Sequence, residues 1–187
     1  MITLYKSIFA GVLIGMAAII SVNATYPHII FAVGLISVVC CGGYLYTGMI
    51  GKLTYRDYKQ IIQILIGNII GIEIICLYVK YFSNIDAWSQ IITNKESYSL
   101  LYVFVSSILC GILMCVATVL NTKSNVLIMI VCISAFILGG FPHCIADTFY
   151  LSLNGISIRD ILYMLISIVG NTVGAKMAYL CAGGNKV

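Results

Sequence analysis

Charge is what this sequence most lacks. Only 9% of its 187 residues are Asp, Glu, Lys or Arg, where a soluble domain carries about 25%. With 61% hydrophobic residues and a mean hydropathy of +1.09, there is too little polar side chain to cover a core in water. A soluble enzyme is excluded on that ground. Ten basic residues against six acidic ones leave a net charge of +4, too thinly spread for a nucleic-acid surface. Proline is nearly missing, with Pro27 and Pro142 alone, and there is a single Trp, Trp88. The eight cysteines form no C-x-x-C, and no His/Cys set has zinc or haem spacing, so neither a metal nor a cofactor is expected. In a chain this long and apolar they are not a secreted disulfide framework but small apolar fillers. No phosphate-binding glycine loop and no hydrolytic triad is present, which leaves no catalytic chemistry.

Long apolar runs are what the sequence does have. A membrane-crossing helix needs about 20 such residues. Six runs qualify, at about 5–23, 27–50, 58–82, 98–120, 125–152 and 159–182. The pattern predicts one all-α polytopic membrane domain over 1–187, without a cleaved signal peptide. Phe82 to Ser97 is its longest polar stretch, read as a linker (about 83–97), and Tyr and Trp near the span ends read as interfacial anchors. Six crossings place both termini on one side with Lys6, Lys52, Arg56, Lys59, Lys123, Lys176 and Lys186; Lys80, Lys95 and Arg159 fall opposite. By the positive-inside rule both termini face the cytoplasm.

The two halves resemble each other. Leu65-Ile66-Gly67-Asn68-Ile69-Ile70-Gly71 in the third run matches Ile168-Val169-Gly170-Asn171-Thr172-Val173-Gly174 in the sixth. Gly42-Gly43 followed by Tyr46-Thr47-Gly48 corresponds to Gly139-Gly140 followed by Pro142-His143. Three spans per half (about 5–82 and 98–182) make the second copy enter the membrane inverted, as in many carriers and channels. The Gly-Asn pairs serve either helix packing or, as paired amides, the solute path.

Glycine pairs and Pro142 break the second and fifth runs, and unwound backbone at membrane depth is tolerated only beside protein or a water-filled cavity. Two breaks at matching points indicate a solute site. His143 sits at one of them, and an ionisable group there is costly enough to imply function. Asp147, four residues on, either tunes that His or faces an aqueous vestibule. Glu73 and Lys176 lie at equivalent positions, too far apart across an inverted repeat for an ion pair; Lys176 is expected to snorkel to the rim. His28 reads as interfacial.

These stretches, in this order, make the chain similar to the formate/nitrite transporter family of small-anion channels. Phe31-Ala32-Val33-Gly34-Leu35 through Gly48 resembles its second span and loop-forming break, and Ile66–Gly71 its third span. Ala135–Ala146 resembles the fifth span with its central His, Ile168–Gly174 the sixth, and Ile108–Ala117, more weakly, the fourth. The resemblance implies an aquaporin-like protomer of six helices in two inverted repeats, usually a homopentamer in a bacterial cytoplasmic membrane. It implies apolar constrictions at Phe31, Leu35 and Phe136, and a narrowing loop with Leu45 and Thr47. His143 then lies centrally with Asn171, Asn68 and Asp147, and Lys95 attracts anions at a vestibule. The chain departs from the family in having Pro142 before the His, Asp147 for an Asn, Gly111 for an Asn and Gly43 for an acid. Its Thr47–Tyr55 stretch is also short, so the half-helix after the first break is expected to be stunted.

The expectation is passage of formate, nitrite or hydrosulfide with protons, the weak acid crossing the constrictions neutral with help from His143. Two alternatives remain: the same fold carrying a neutral or cationic solute, and a membrane scaffold that transports nothing.

Overall fold

A computed structural model describes residues 1–184, so Lys186 lies outside the described residues. Among them the fold is all helical: α1 (Ile2–Val22), α2 (Pro27–Cys40), α3 (Tyr46–Met49), α4 (Tyr58–Phe82), α5 (Ser89–Ser97), α6 (Leu100–Ala117), α7 (Val126–Leu138), α8 (Cys144–Leu153) and α9 (Ile158–Cys181). Local chemistry sets several starts. Ser99, Asn125 and Ser157 cap α6, α7 and α9 through their side chains, and Ser157 forms a capping box with Asp160. Pro27, which has no N–H to lose, opens α2.

Among the described residues four helices are long and apolar enough to cross a membrane: α1, α4 with its preceding turn, α6 and α9. The apolar helices α2, α7 and α8 are shorter. The 14 residues of α2 rise about 21 Å, short of a hydrocarbon core of about 30 Å. Both breaks fall where the glycines predict them, and α3 is a single turn, as the short Thr47–Tyr55 stretch requires.

Backbone contact builds the frame. α1 packs along α4, and α6 along α9. A Cβ on Gly11 would overlap the Asn68 carbonyl, and one on Gly71 the Ile8 carbonyl. In the second pair Gly111 meets Asn171 in the same way, and Gly174 meets Ile108. α2 lies against α7, and α8, buried at all ten residues, fills the centre against α4, α9 and α1. Outward faces of the long helices carry exposed Ile, Leu, Tyr and Met, as an integral membrane protein requires.

Four expectations are corrected here. The polar stretch after Phe82 is ordered: a 3-10 turn (Ile85–Trp88) leads into α5, because Trp88 and Ile92 bury themselves in the main core. Trp88 is accordingly no interfacial anchor; its ring packs edge-on to Phe149, and its indole N–H donates to the Ala18 carbonyl. Lys176 does not snorkel. It donates to the Gly51 and Leu53 carbonyls, closing the chain just after α3. Cys40, Cys41 and Cys181 are exposed, so only the other five cysteines act as fillers. Glu73 takes a hydrogen bond from Ser152 on α8, and Lys176 finds different partners, in keeping with the expectation that the two do not pair.

Because α6 and α9 touch through backbone, Gly111→Val and Gly174→Val should each lower the melting temperature of the detergent-solubilised protein, by the equivalent of about 1–3 kcal/mol or more. The outward-facing Ile161→Ala should leave it within about 0.5 kcal/mol of the parent.

Candidate functional site

Two apolar helices, α2 and α7, stop short, and both stop in the same way before the chain turns back into the core. α2 ends with Gly42 at φ +64°, with Gly43 N–H donating to the Val38 carbonyl at 2.8 Å. α7 ends with Gly140 at φ +65°, with Phe141 N–H donating to the Phe136 carbonyl at 2.9 Å. These are Schellman ends, and the left-handed residue in each is the glycine. Three non-helical residues follow before the next helix begins, and their peptide groups need partners away from water.

Asn68 and Asn171 supply those partners. The Asn68 amide donates to the carbonyls of Ser7 and Tyr44, and its Oδ1 accepts from Tyr46 N–H at 2.7 Å. The Asn171 amide donates to the carbonyls of Ser107 and Pro142, and its Oδ1 accepts from Cys144 N–H at 2.9 Å. Each amide therefore ties a long neighbouring helix to a break and grips the break on both sides of one residue. That residue is Leu45 in the first break and His143 in the second. Both asparagines are fully enclosed.

His143 is held on every side. Its Nδ1 accepts from Ala146 N–H at 3.0 Å, capping α8, so the ring proton belongs on Nε2. Nε2 faces Thr47 Oγ1 at 2.8 Å, joining the two breaks. The ring stacks on Phe136, with centroids 5.4 Å apart. Phe136 meets Phe31 edge to face at 6.5 Å, so the two phenylalanines form one apolar layer next to the imidazole.

A cavity opens on each side of this knot. One of about 360 Å³ lies at the start of α2 and the end of α7; Phe31 and Phe136 form part of its wall, with Lys95, Asp147, Tyr98 and Tyr150. The other, of about 330 Å³, lies at the far end of α2, with Leu35, Leu45, Lys52 and Asn121 among its lining residues. His143 and Thr47, 2% and 0% exposed, line neither.

Asp147 takes no part in bonding the imidazole ring. Its Oδ2 accepts from His143 backbone N–H at 3.2 Å and from the Tyr163 hydroxyl at 2.6 Å. Its Oδ1 meets Lys95 Nζ at 2.6 Å. The first turn of α8 is a favourable place for a carboxylate. Lys95, reached from α5, also lies over the Tyr150 ring.

The residues singled out from sequence thus fall into four groups. His143, Thr47, Phe31 and Phe136 come together at the centre, and Leu35 and Leu45 line the second cavity. Asn68 and Asn171, expected along the path, instead spend their amides on backbone and line neither cavity. Lys95 lines the first cavity with its ammonium paired to Asp147. Sequence reasoning missed Tyr163, whose only signal is a Tyr inside an apolar run. It also missed Tyr46, whose hydroxyl is 2.8 Å from Thr172 Oγ1, and Thr118, which donates to the Gly48 carbonyl. Among the described residues no group of three His, Cys, Asp or Glu could hold a metal.

Broken helices meeting at a buried, polar centre between two cavities are the architecture of a membrane transport protein. The sequence pattern of the formate/nitrite transporter family matches residues 1–182, and the chain belongs to that family. It is 26% identical to the formate channel FocA of Escherichia coli K12, over 84% of this chain and 67% of that protein. It is equally identical, at 26%, to a formate-nitrite transporter of Plasmodium malariae, over 95% of this chain and 74% of that protein. Among solved structures it superposes on a pentameric formate channel with formate bound (TM-score 0.76, 20% identity, 98% of this chain and 94% of that one). An ion channel of the same family gives a TM-score of 0.77 at 17% identity, covering 99% of this chain and 88% of that one. These relatives are channels and transporters, not enzymes.

Replacing either clamp by a side chain of like size and no polarity should unfasten its break. Asn68→Leu and Asn171→Leu each strand three buried peptide groups, at about 1–3 kcal/mol apiece. Both variants should show early thermal aggregation in detergent, whereas Asn154→Leu, at the exposed end of α8, should melt like the parent.

Proposed function

We propose that this chain is a membrane channel or transporter for the small monovalent anion of a weak acid, such as formate, nitrite or hydrosulfide, moving with protons. The observation that carries the proposal is the placing of His143, hydrogen-bonded to Thr47 and stacked on Phe136, in the buried gap between two cavities. The names and titles of its relatives, which include formate channels, agree with this reading.

The physics runs from the constriction outward. A bare anion cannot pass the Phe31–Phe136 layer without losing its hydration, at a cost no nearby group offsets. A weak acid avoids that cost by taking up a proton, relayed by His143 or through water, and crossing neutral. His143 suits the task because an imidazole both gives up and takes up a proton, and its Nε2 points to Thr47 at the junction of the two breaks. Leu35 and Leu45 provide the second apolar constriction, and Thr47 orients the imidazole. The six crossings form two inverted three-helix repeats in the aquaporin-like manner, and the paired bonding of Asn68 and Asn171 supports that reading. Both termini face the cytoplasm, putting the Lys52 cavity inside and the Lys95 cavity outside. The membrane is a bacterial cytoplasmic membrane, and the assembly is a homopentamer, as in the solved formate channel.

The test is stopped-flow uptake into proteoliposomes across pH, with a bulky anion and a small cation as controls. Uptake of formate, nitrite or hydrosulfide should rise as pH falls and the neutral acid becomes more abundant. His143→Ala should flatten that pH profile and slow uptake by about 10²-fold or more, the usual worth of a positioned proton carrier. A His143→Ala protein with unchanged rate and profile removes the proton role. Cation uptake in place of anion uptake replaces the substrate class.

A further inference from the structure

The two cavities are electrostatically unlike, and one side chain makes them so. The charged residues lining the first cavity are Lys95 and Asp147, which sum to zero. Lys52 is the charged residue lining the second, and no carboxylate lines it, so that cavity carries a net positive charge. Resting on the transport reading above, we propose that Asp147 is a specificity-determining residue of the first vestibule. By cancelling the charge of Lys95, it makes this mouth one that admits small polar solutes and neutral acids by hydrogen bonding rather than one that concentrates anions.

Geometry holds the pair together. The Asp147 carboxylate is 2% exposed and fixed from three further directions: the Lys95 ammonium on α5, the Tyr163 hydroxyl on α9, and the backbone N–H of His143. It cannot swing away when a solute arrives without stranding two buried donors. The Lys95 side chain is 13% exposed and lines the cavity. One of its three N–H groups is committed to Asp147, and the others remain as donors for a solute. An approaching anion therefore meets hydrogen-bond donors but no net attraction, because the opposite charge lies 2.6 Å behind them. A free Lys in a low-dielectric cleft would instead raise the local anion concentration, in a manner that salt abolishes.

Salt is therefore the probe. Formate uptake is measured in right-side-out and inverted vesicles carrying the full chain, at ionic strengths of about 10 and 300 mM, which set Debye lengths of about 30 and 6 Å. From the Lys95 face the half-saturating formate concentration should change less than about twofold between the two salts, and from the Lys52 face it should climb severalfold. Asp147→Asn should lower the half-saturation from the Lys95 face at low salt by about fivefold, and high salt should erase that gain. A wild-type half-saturation that climbs as steeply from the Lys95 face as from the Lys52 face overturns the proposal, whether or not the variant folds. So does an Asp147→Asn protein with the parental salt profile. If formate, nitrite and hydrosulfide all fail to enter from either face, the transport reading itself falls and takes the proposal with it. Uptake with the wrong salt profile removes the proposal alone.

Discussion

The structure turns on one constraint: two apolar helices stop short, and the chain that follows each carries its peptide groups into a core with no water to bond. An open amide or carbonyl at that depth costs several kcal/mol. Asn68 and Asn171 meet the constraint with a side chain that both donates and accepts, three bonds each. Much else is subordinate to letting those amides reach. Gly11 and Gly111 bring the neighbouring helix backbones against the asparagines, and Gly71 and Gly174 continue the contact one turn later. The glycine pairs at the ends of α2 and α7 turn the chain so that Tyr44, Tyr46, Pro142 and Cys144 present their peptide groups inward. The residue between each gripped pair is then fixed in space without itself bonding to the asparagine. This is how Leu45 and His143 come to face the centre from opposite halves.

The second break solves its accounting differently from the first. Tyr44 N–H must be satisfied, and it donates to the Lys6 carbonyl at 3.3 Å. Pro142, at the matching point, has no N–H, so the demand disappears. His143 N–H goes to Asp147 and Cys144 N–H to Asn171, which leaves each remaining peptide N–H from Gly139 to Cys144 with a partner. The imidazole Nδ1 is itself used as a cap. His143 is thus a structural member before it is anything else. Its tautomer follows from that duty: with Nδ1 accepting, Nε2 carries the proton toward Thr47.

How much of this the sequence disclosed depends on range. The four long helices α1, α4, α6 and α9 followed from apolar run length, and both breaks from Gly42-Gly43 and Gly139-Gly140, because backbone breakage is a local property of glycine and proline. The central grouping of His143 with Phe31, Phe136 and Thr47 was legible through family resemblance. What was not legible is the direction in which polar side chains bond. Asn68 and Asn171 looked the same on paper whether lining a path or tying backbone, since the choice depends on which carbonyls the facing helices bring within 3 Å. Lys95 looked free because its partner lies fifty-two residues away. α5 was hidden by its polar composition, and only the burial of Trp88 and Ile92 explains why it folds back over the core.

Asp147 shows how a structural duty and an electrostatic one separate. The backbone asks only for an acceptor opposite His143 N–H and Tyr163 Oη, and a neutral carboxamide oxygen would serve both bonds. Nothing in the break requires a negative charge there. A buried carboxylate also carries a desolvation penalty that an amide avoids. Beyond the general favour of a helix start for negative charge, the charge is tied to the contact with Lys95 at 2.6 Å. A carboxylate so placed stabilises an ammonium in a partly closed cavity and, in the same act, hides it from any anion beyond. With the backbone indifferent to the charge and the ammonium dependent on it, the acid at 147 acts on what the vestibule presents to a solute, and the polypeptide around it holds that presentation fixed.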